Sequence, residues 1–197
     1  MINNQDRSGW FGASDTSMVV TKNRDTKTFK QWWSVKMGEQ ENSFTGTKYT
    51  EAGNKYEHPI LRAINPDIVF DRQIKIEKYL LRVNYDGDLN GIIYEVKTHK
   101  AENEFVVSPQ YYRQAQVEMY AYKTMQAELG LPDFQRLYIV SYALYPDEYY
   151  TNYDNVEVEP ARIRFTEIDY DKSFIKDEYK PNLKYLSRCL RKGKIPT

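Results

Sequence analysis

A chain of 197 residues is long enough to bury a core as one domain spanning 1–197, and its lone cysteine, Cys189, excludes an internal disulfide framework, a zinc knuckle or a four-cysteine iron-sulfur cluster. The 28 basic and 28 acidic residues cancel, which argues against a surface coated all over in nucleic acid. No run approaches the apolar length of a membrane span and residues 1–7 are polar, so the expectation is a soluble, untargeted protein of a reducing cytoplasm.

The charge is unevenly spread. Residues 22–36 carry a local +4 and residues 176–194 a local +5, whereas 147–171 carry −6. Either basic run could meet phosphates, although each alone reads more simply as a solvated helix face.

The alternation of elements predicts one α/β (α+β) unit without repeats or Gly/Ser linkers. Ser14 or Asp15 is suited to cap a short first helix, and Thr28 a second, whose stripe of Phe29, Trp32, Trp33 and Met37 ends at Gly38. The tryptophans read as core. After a polar loop at 39–49, Thr50 is expected to open a helix that aligns Gly53, Glu57, Leu61 and Ile64 on one face, with a kink at Pro59. Glu57 thus shares a face with small and apolar residues.

Strands are predicted at 68–77, 79–86 and 91–98, with residues 87–91 forming the turn between the last two. Side chains two apart on a strand share a face, so Glu95 and Lys97 point together with Ile93, and the turn folds Asp86 back beside them. Ser108 and Pro109 start a helix that runs to Leu129, with Tyr112, Ala115, Met119 and Tyr122 as its apolar stripe. Strands near 136–144 and 161–168 and a basic helix from about 173 complete the pattern, Pro181 obscuring where that helix begins.

Two acids and a lysine on adjacent strands suit metal-assisted phosphodiester cleavage. Mg2+ prefers oxygen ligands and is commonly held by one or two carboxylates plus a substrate phosphate. Asp86 and Glu95 would supply the carboxylates, the Val96 carbonyl a further ligand, and Glu57 would reach the same ion or a second one. Lys97 would orient the nucleophile or stabilise the developing oxyanion. His58 and His99 flank these motifs but read as structural.

The ordered set Gly12-Ala13-Ser14-Asp15, Gly53-Asn54-Lys55-Tyr56-Glu57, Tyr85-Asp86-Gly87, Glu95-Val96-Lys97 and Tyr111-Tyr112-Arg113-Gln114-Ala115-Gln116 resembles the PD-(D/E)XK nucleases. The resemblance, over roughly residues 9–125, is to the branch of phage lambda exonuclease and the YqaJ-like viral recombinases. It implies a restriction-endonuclease-like core, a central mixed β-sheet flanked by helices. It also implies Mg2+ (or Mn2+) at Glu57, Asp86 and Glu95, water activation by Lys97, and an active-site glutamine. That glutamine is Gln114 in one alignment; the pattern of RecB-type relatives would choose Gln116 with Tyr120. Ser14 matches the family's phosphate-binding serine, a role compatible with capping. Asn84 stands where the family motif often begins with proline.

The activity implied is exonucleolytic resection of double-stranded DNA ends, 5′ to 3′, by a ring-shaped homotrimer working with a single-strand annealing protein, in a host cytoplasm if a phage carries it. An endonuclease of restriction, nicking or junction-resolving type is the alternative enzyme. A non-catalytic DNA-binding protein of the same fold is the third reading, disfavoured because it would have no need to gather like charges around a lysine.

Overall fold

The computed structural model describes residues 8–41, 46–149 and 156–197; residues 42–45 of the predicted polar loop and residues 150–155 of the acidic segment lie outside the described residues. Five strands form one mixed sheet in the order β1 (Val69–Ile76), β2 (Leu81–Leu89), β3 (Ile92–Lys100), β4 (Arg136–Leu144), β5 (Ile163–Ile168). All neighbours are antiparallel except β3 and β4. Those two run parallel because α4 (Pro109–Met125) carries the chain back between them.

Alternation along the strands decides what each face packs against. Ile93 and the odd-numbered residues Leu81, Val83 and Tyr85 join a core with Phe29 and Trp33 of α2 (Lys27–Met37), Ala115 and Met119 of α4, and Leu183 and Leu186 of α5 (Lys180–Arg191). Tyr94 and Val96 face the other way, onto Ala52, Tyr56, Ile60 and Leu61 of α3 (Lys48–Ile64). α4 is enclosed on nearly every side: residues 115–122 are all buried, so a single apolar stripe understates its packing.

Several boundaries differ from the sequence reading for local reasons. Thr26, not Thr28, caps α2, because Thr26 is extended and its hydroxyl accepts from the Phe29 amide at 3.2 Å, while Thr28 is already helical. α3 begins two residues before Thr50, with Thr47 accepting from the Thr50 amide at 3.3 Å. It then continues through Pro59 to Ile64. Asp15 stands at the N-cap position of α1 (Thr16–Val19), without a side-chain bond to that helix; a one-turn helix, Ala13–Asp15, precedes it with Gly12 at its N-cap, and the Asp15 carboxylate accepts from the Gly12 amide at 2.7 Å. α4 stops at Met125, and a turn carries the chain to Gly130, whose φ of +64° ends it. Ahead of Pro181 lies one π-helical turn, Phe174–Tyr179, which leads directly into α5.

The strand that bears Asp86 is longer than expected. Residues 79–80 belong to a one-turn helix (Glu77–Tyr79) and its left-handed exit at Leu80, whereas β2 continues through Gly87 and Asp88 to Leu89. The turn is therefore only Asn90-Gly91, both left-handed at φ +51° and +83°, the geometry that matches the twist of a tight hairpin.

Candidate metal and nuclease site

Three elements bring the site together. The β2/β3 ladder pairs Leu89 with Ile92, Asp88 with Ile93 and Gly87 with Tyr94, and closes no further. Where it ends, the Asp86 carboxylate takes the main-chain donor instead: the Val96 amide donates to Oδ2 at 2.6 Å. On the opposite side of β2 the register passes from Phe70↔Gly87 to Arg72↔Tyr85, with Asp71 between them at φ +55°.

Gly87 sets how close α3 comes. A Cβ there would lie 2.6 Å from Ile68 Cγ2 and 3.1 Å from Leu61, which sits one turn beyond Glu57 on α3. The missing side chain lets α3 bring Glu57 within electrostatic range of Asp86, Glu95 and Lys97.

Glu95, only 3 % exposed, is the hub. Its Oε1 accepts from Lys97 Nζ at 2.5 Å and from Gln114 Nε2 at 2.5 Å. Its Oε2 is buried with no hydrogen-bond partner among the described residues. Gln114 also donates to Glu118 Oε1 at 2.9 Å, and Glu118 is fully buried. The Lys97 ammonium lies 5.0 Å from the centre of the Tyr111 ring, which covers it.

These neighbours perturb one another in opposite senses. Burial, then the charges of Glu95 and Asp71, push the Glu57 carboxyl up to about 7. Burial and the charges of Glu95 and Glu57 raise Asp86 well above the carboxylate range, and burial and Glu95 do the same to Glu118. Burial alone would lower Lys97, yet Glu95 and Asp86 outweigh it and hold the ammonium above the ordinary lysine range. Four acids thus surround one lysine, and the cluster is short of positive charge.

The orphaned Glu95 Oε2 and this acid excess suit a hard divalent cation at Asp86 and Glu95, with Glu57 within electrostatic range of both. The closed ligand set found among the described residues is a different one: one atom each from Glu57, His58 and Asp71 lies within 4.8 Å of the others, whereas Glu57, Asp86 and Glu95 do not meet that closely. His58, stacked on Phe70, is 3.1 Å from Asp71 and 3.8 Å from Glu57. His99 Nδ1 lies 3.1 Å from the main-chain carbonyls of Lys100 and Asn103.

Glu57, Asp86, Glu95, Lys97 and Gln114 are therefore brought together, with Val96 tied in through its amide. Gln116 and Tyr120 are not. Gln116 is fully buried and clamps the segment before α5, its amide donating to the Asp169 carbonyl at 2.8 Å and its Oε1 accepting from the Asp171 amide at 2.7 Å. Tyr120 is buried edge-on to Tyr179, so neither faces outward to meet DNA. Two helical positions separate Gln114 from Gln116, and residues that far apart do not share a helix face. Ser14 is exposed at the mouth of a polar cavity of about 90 Å³ whose lining includes Asp15, Lys36, Arg82, Asn84 and Gln114, so this cavity adjoins the acid cluster.

Glu118, Asp71 and the Asp15–Lys36 pair adjoin this cluster, a placement that the sequence reading does not pick out. Gln114 and Glu118 are four apart on a predicted helix, a spacing open to reading. Asp71 carries no such signal, because its position depends on the β1/β2 register.

No family model matches the sequence, and no curated protein matches it. The fold does have solved counterparts. An alkaline exonuclease from Laribacter hongkongensis (LHK-Exo) superposes with a TM-score of 0.63 at 16 % identity over 94 % of this chain and 89 % of that one. The same enzyme in complex with dAMP gives 0.62 at 17 % identity, with the same coverage. A phage-related exonuclease from Haemophilus somnus 129PT gives 0.55 at 16 % identity over 94 % of this chain and 96 % of that one. The chain shares the mixed-sheet fold of these exonucleases. Among the described residues, no helix is long and apolar enough to cross a membrane.

Proposed function

We propose that the protein is a Mg2+-dependent deoxyribonuclease of the lambda-exonuclease type that resects linear duplex ends, 5′ to 3′, to expose a strand for a single-strand annealing protein. The observation that carries this reading is the gathering of Asp86 and Glu95 beside Lys97, with Glu57 in electrostatic range and one buried Glu95 oxygen left without a hydrogen-bond donor among the described residues. The exonuclease character of the solved counterparts supports it at the level of fold.

Glu57, Asp86 and Glu95, with the Val96 carbonyl, would hold the cation. Bound there, Mg2+ or Mn2+ would supply a lowered water pKa and charge neutralisation at the phosphate. Lys97 is held charged, so it serves as a fixed positive group and hydrogen-bond donor rather than as a base. Gln114 keeps Glu95 Oε1 engaged, and Tyr111 shields Lys97 from water. The polar cavity beside Ser14 would receive a terminal phosphate, as DNA ends present one.

Assembly into a homotrimeric ring would concentrate basic surface around the duplex. The structure redistributes that surface. Lys36 of the first basic run is buried against Asp15 at 2.6 Å, an acid outside the run, so the run offers less free charge than its +4 suggests. α5 offers more, with Lys180, Lys184 and Arg188 exposed.

End-labelled linear duplex digested with Mg2+ tests the activity: release of the 5′ label with mononucleotides, and no attack on covalently closed circles, is expected. Cleavage of circles would select the endonuclease reading, and no cleavage of any DNA the non-catalytic one. Light scattering with and without DNA tests the ring; a monomer in both conditions excludes it.

A further inference from the structure

We infer that Glu118 is a positioning residue that fixes the orientation of the Gln114 amide and thereby divides the work of the two Glu95 oxygens; the inference deepens the nuclease reading above and rests on it for its catalytic consequence. A primary amide carries two donors on nitrogen and none on oxygen. Gln114 Nε2 meets two carboxylate oxygens, Glu95 Oε1 at 2.5 Å and Glu118 Oε1 at 2.9 Å. Only the NH2 end can face both, so with Glu118 in place a flipped amide would set its oxygen against carboxylate oxygens.

The consequence reaches Glu95. With the amide locked, Oε1 is occupied by Gln114 and Lys97, and Oε2, buried and without a hydrogen-bond partner among the described residues, is left for a cation. The Gln114 carbonyl is directed away from the acids, while Gln114 itself lines the polar cavity that holds Ser14, Arg82 and Asn84. Glu118 sits one helical turn beyond Gln114 and is fully buried, so it does not act on substrate; it also lies against Glu95 directly, and the role inferred is the one it exerts through Gln114, which the double variant below separates from that direct contact.

The first test needs neither metal nor DNA. In the side-chain amide spectrum of the intact protein, both Gln114 amide protons should exchange slowly, and Glu118→Gln should shift them and speed exchange of at least one. A Gln114 amide that exchanges like a free side chain in the wild type, or one that Glu118→Gln leaves untouched, overturns the inference. If the wild type cleaves no DNA but the amide is protected and released as stated, the nuclease reading falls and the positioning role stands.

The second test follows turnover and metal binding in parallel. Glu118→Gln should lower kcat about tenfold with KM for DNA nearly unchanged, the scale of one net hydrogen bond. It should also weaken Mg2+ binding measured by calorimetry. Because Glu118 acts through Gln114, the double variant with Gln114→Ala should be no worse than Gln114→Ala alone in either measurement. Fully additive losses would mean that Glu118 acts independently, against the inference.

Discussion

The Val96 amide donates to Asp86 Oδ2 at 2.6 Å, at the point where the β2/β3 ladder ceases to close. A side chain thus replaces the backbone carbonyl that a regular antiparallel pair would offer. The two strands part there, and the opening holds Glu95 and Lys97 on one side and α3 on the other. The arrangement gives Asp86 two duties, to join the strands and to present its remaining oxygen to the site.

Asp86→Ala and Lys97→Ala should therefore differ, although each is expected to abolish cleavage by about a hundredfold or more while leaving DNA binding largely intact. Lys97→Ala removes charge and a bond to Glu95 but no strand contact. Asp86→Ala also strands the Val96 amide, and should lower the unfolding midpoint in denaturant by an amount corresponding to about 1–3 kcal/mol. Cleavage at the wild-type rate by either variant would exclude the site.

The close approach at Gly87 gives a separable expectation. Gly87→Ala places a methyl 2.6 Å from Ile68 Cγ2, so Ile68 and Leu61 must move, at a cost of about 1–3 kcal/mol. Moving Leu61 moves Glu57 on the same helix. The variant should fold with a reduced melting temperature and lose Mg2+ affinity, although it alters no ligand. Unchanged metal affinity in a folded Gly87→Ala protein would show that α3 is not held by this approach.

The exposed basic face of α5 should serve DNA without serving chemistry. Lys180→Gln, Lys184→Gln and Arg188→Gln combined should weaken duplex binding irrespective of sequence. The slope of log affinity against log salt should fall by up to about 0.9 for each phosphate that the variant no longer neutralises. A salt slope identical to the wild type would place DNA elsewhere.

Much of this is legible from residue order, for physical reasons that also explain the omissions. Strand alternation puts Glu95 and Lys97 on one face with Ile93, and the apolar face of α3 singles out Glu57, because both depend only on local periodicity. The Asn90-Gly91 turn looks wider in the sequence than it is, since Gly87 and Asp88 are a polar pair of turn-forming residues; in the fold the left-handed Asn90-Gly91 pair makes the whole turn, and Asp88 is buried against Arg72 at 2.6 Å. The Asp15–Lys36 pair joins residues 21 apart, with Trp32 donating to the same carboxylate at 2.8 Å, and no periodicity announces it. Gln116 suggests a partner of substrate because it lies close to Gln114 in the chain, but the helix turns it toward the Asp169–Asp171 backbone.

Burial of the acid cluster should make stability depend on pH in an unusual direction when metal is absent. Glu57 titrates near 7 when folded against an ordinary value of 4.5, so the folded state holds its proton more tightly than the unfolded chain does. Its contribution is fully present below about 4.5 and lost as the pH rises through about 7, a change worth up to about 3 kcal/mol. Asp86 and Glu118, also raised, act in the same sense. In chelator, the melting temperature should therefore fall between pH 5 and pH 8. Mg2+ should restore it at pH 8, where it meets ionised carboxylates, and do little at pH 5, where it competes with protons. Glu57→Gln should flatten part of the chelator profile and lose most of its turnover. A melting temperature that rises steadily from pH 5 to pH 8 in chelator would mean that these acids are solvated and Glu57 an ordinary helix glutamate.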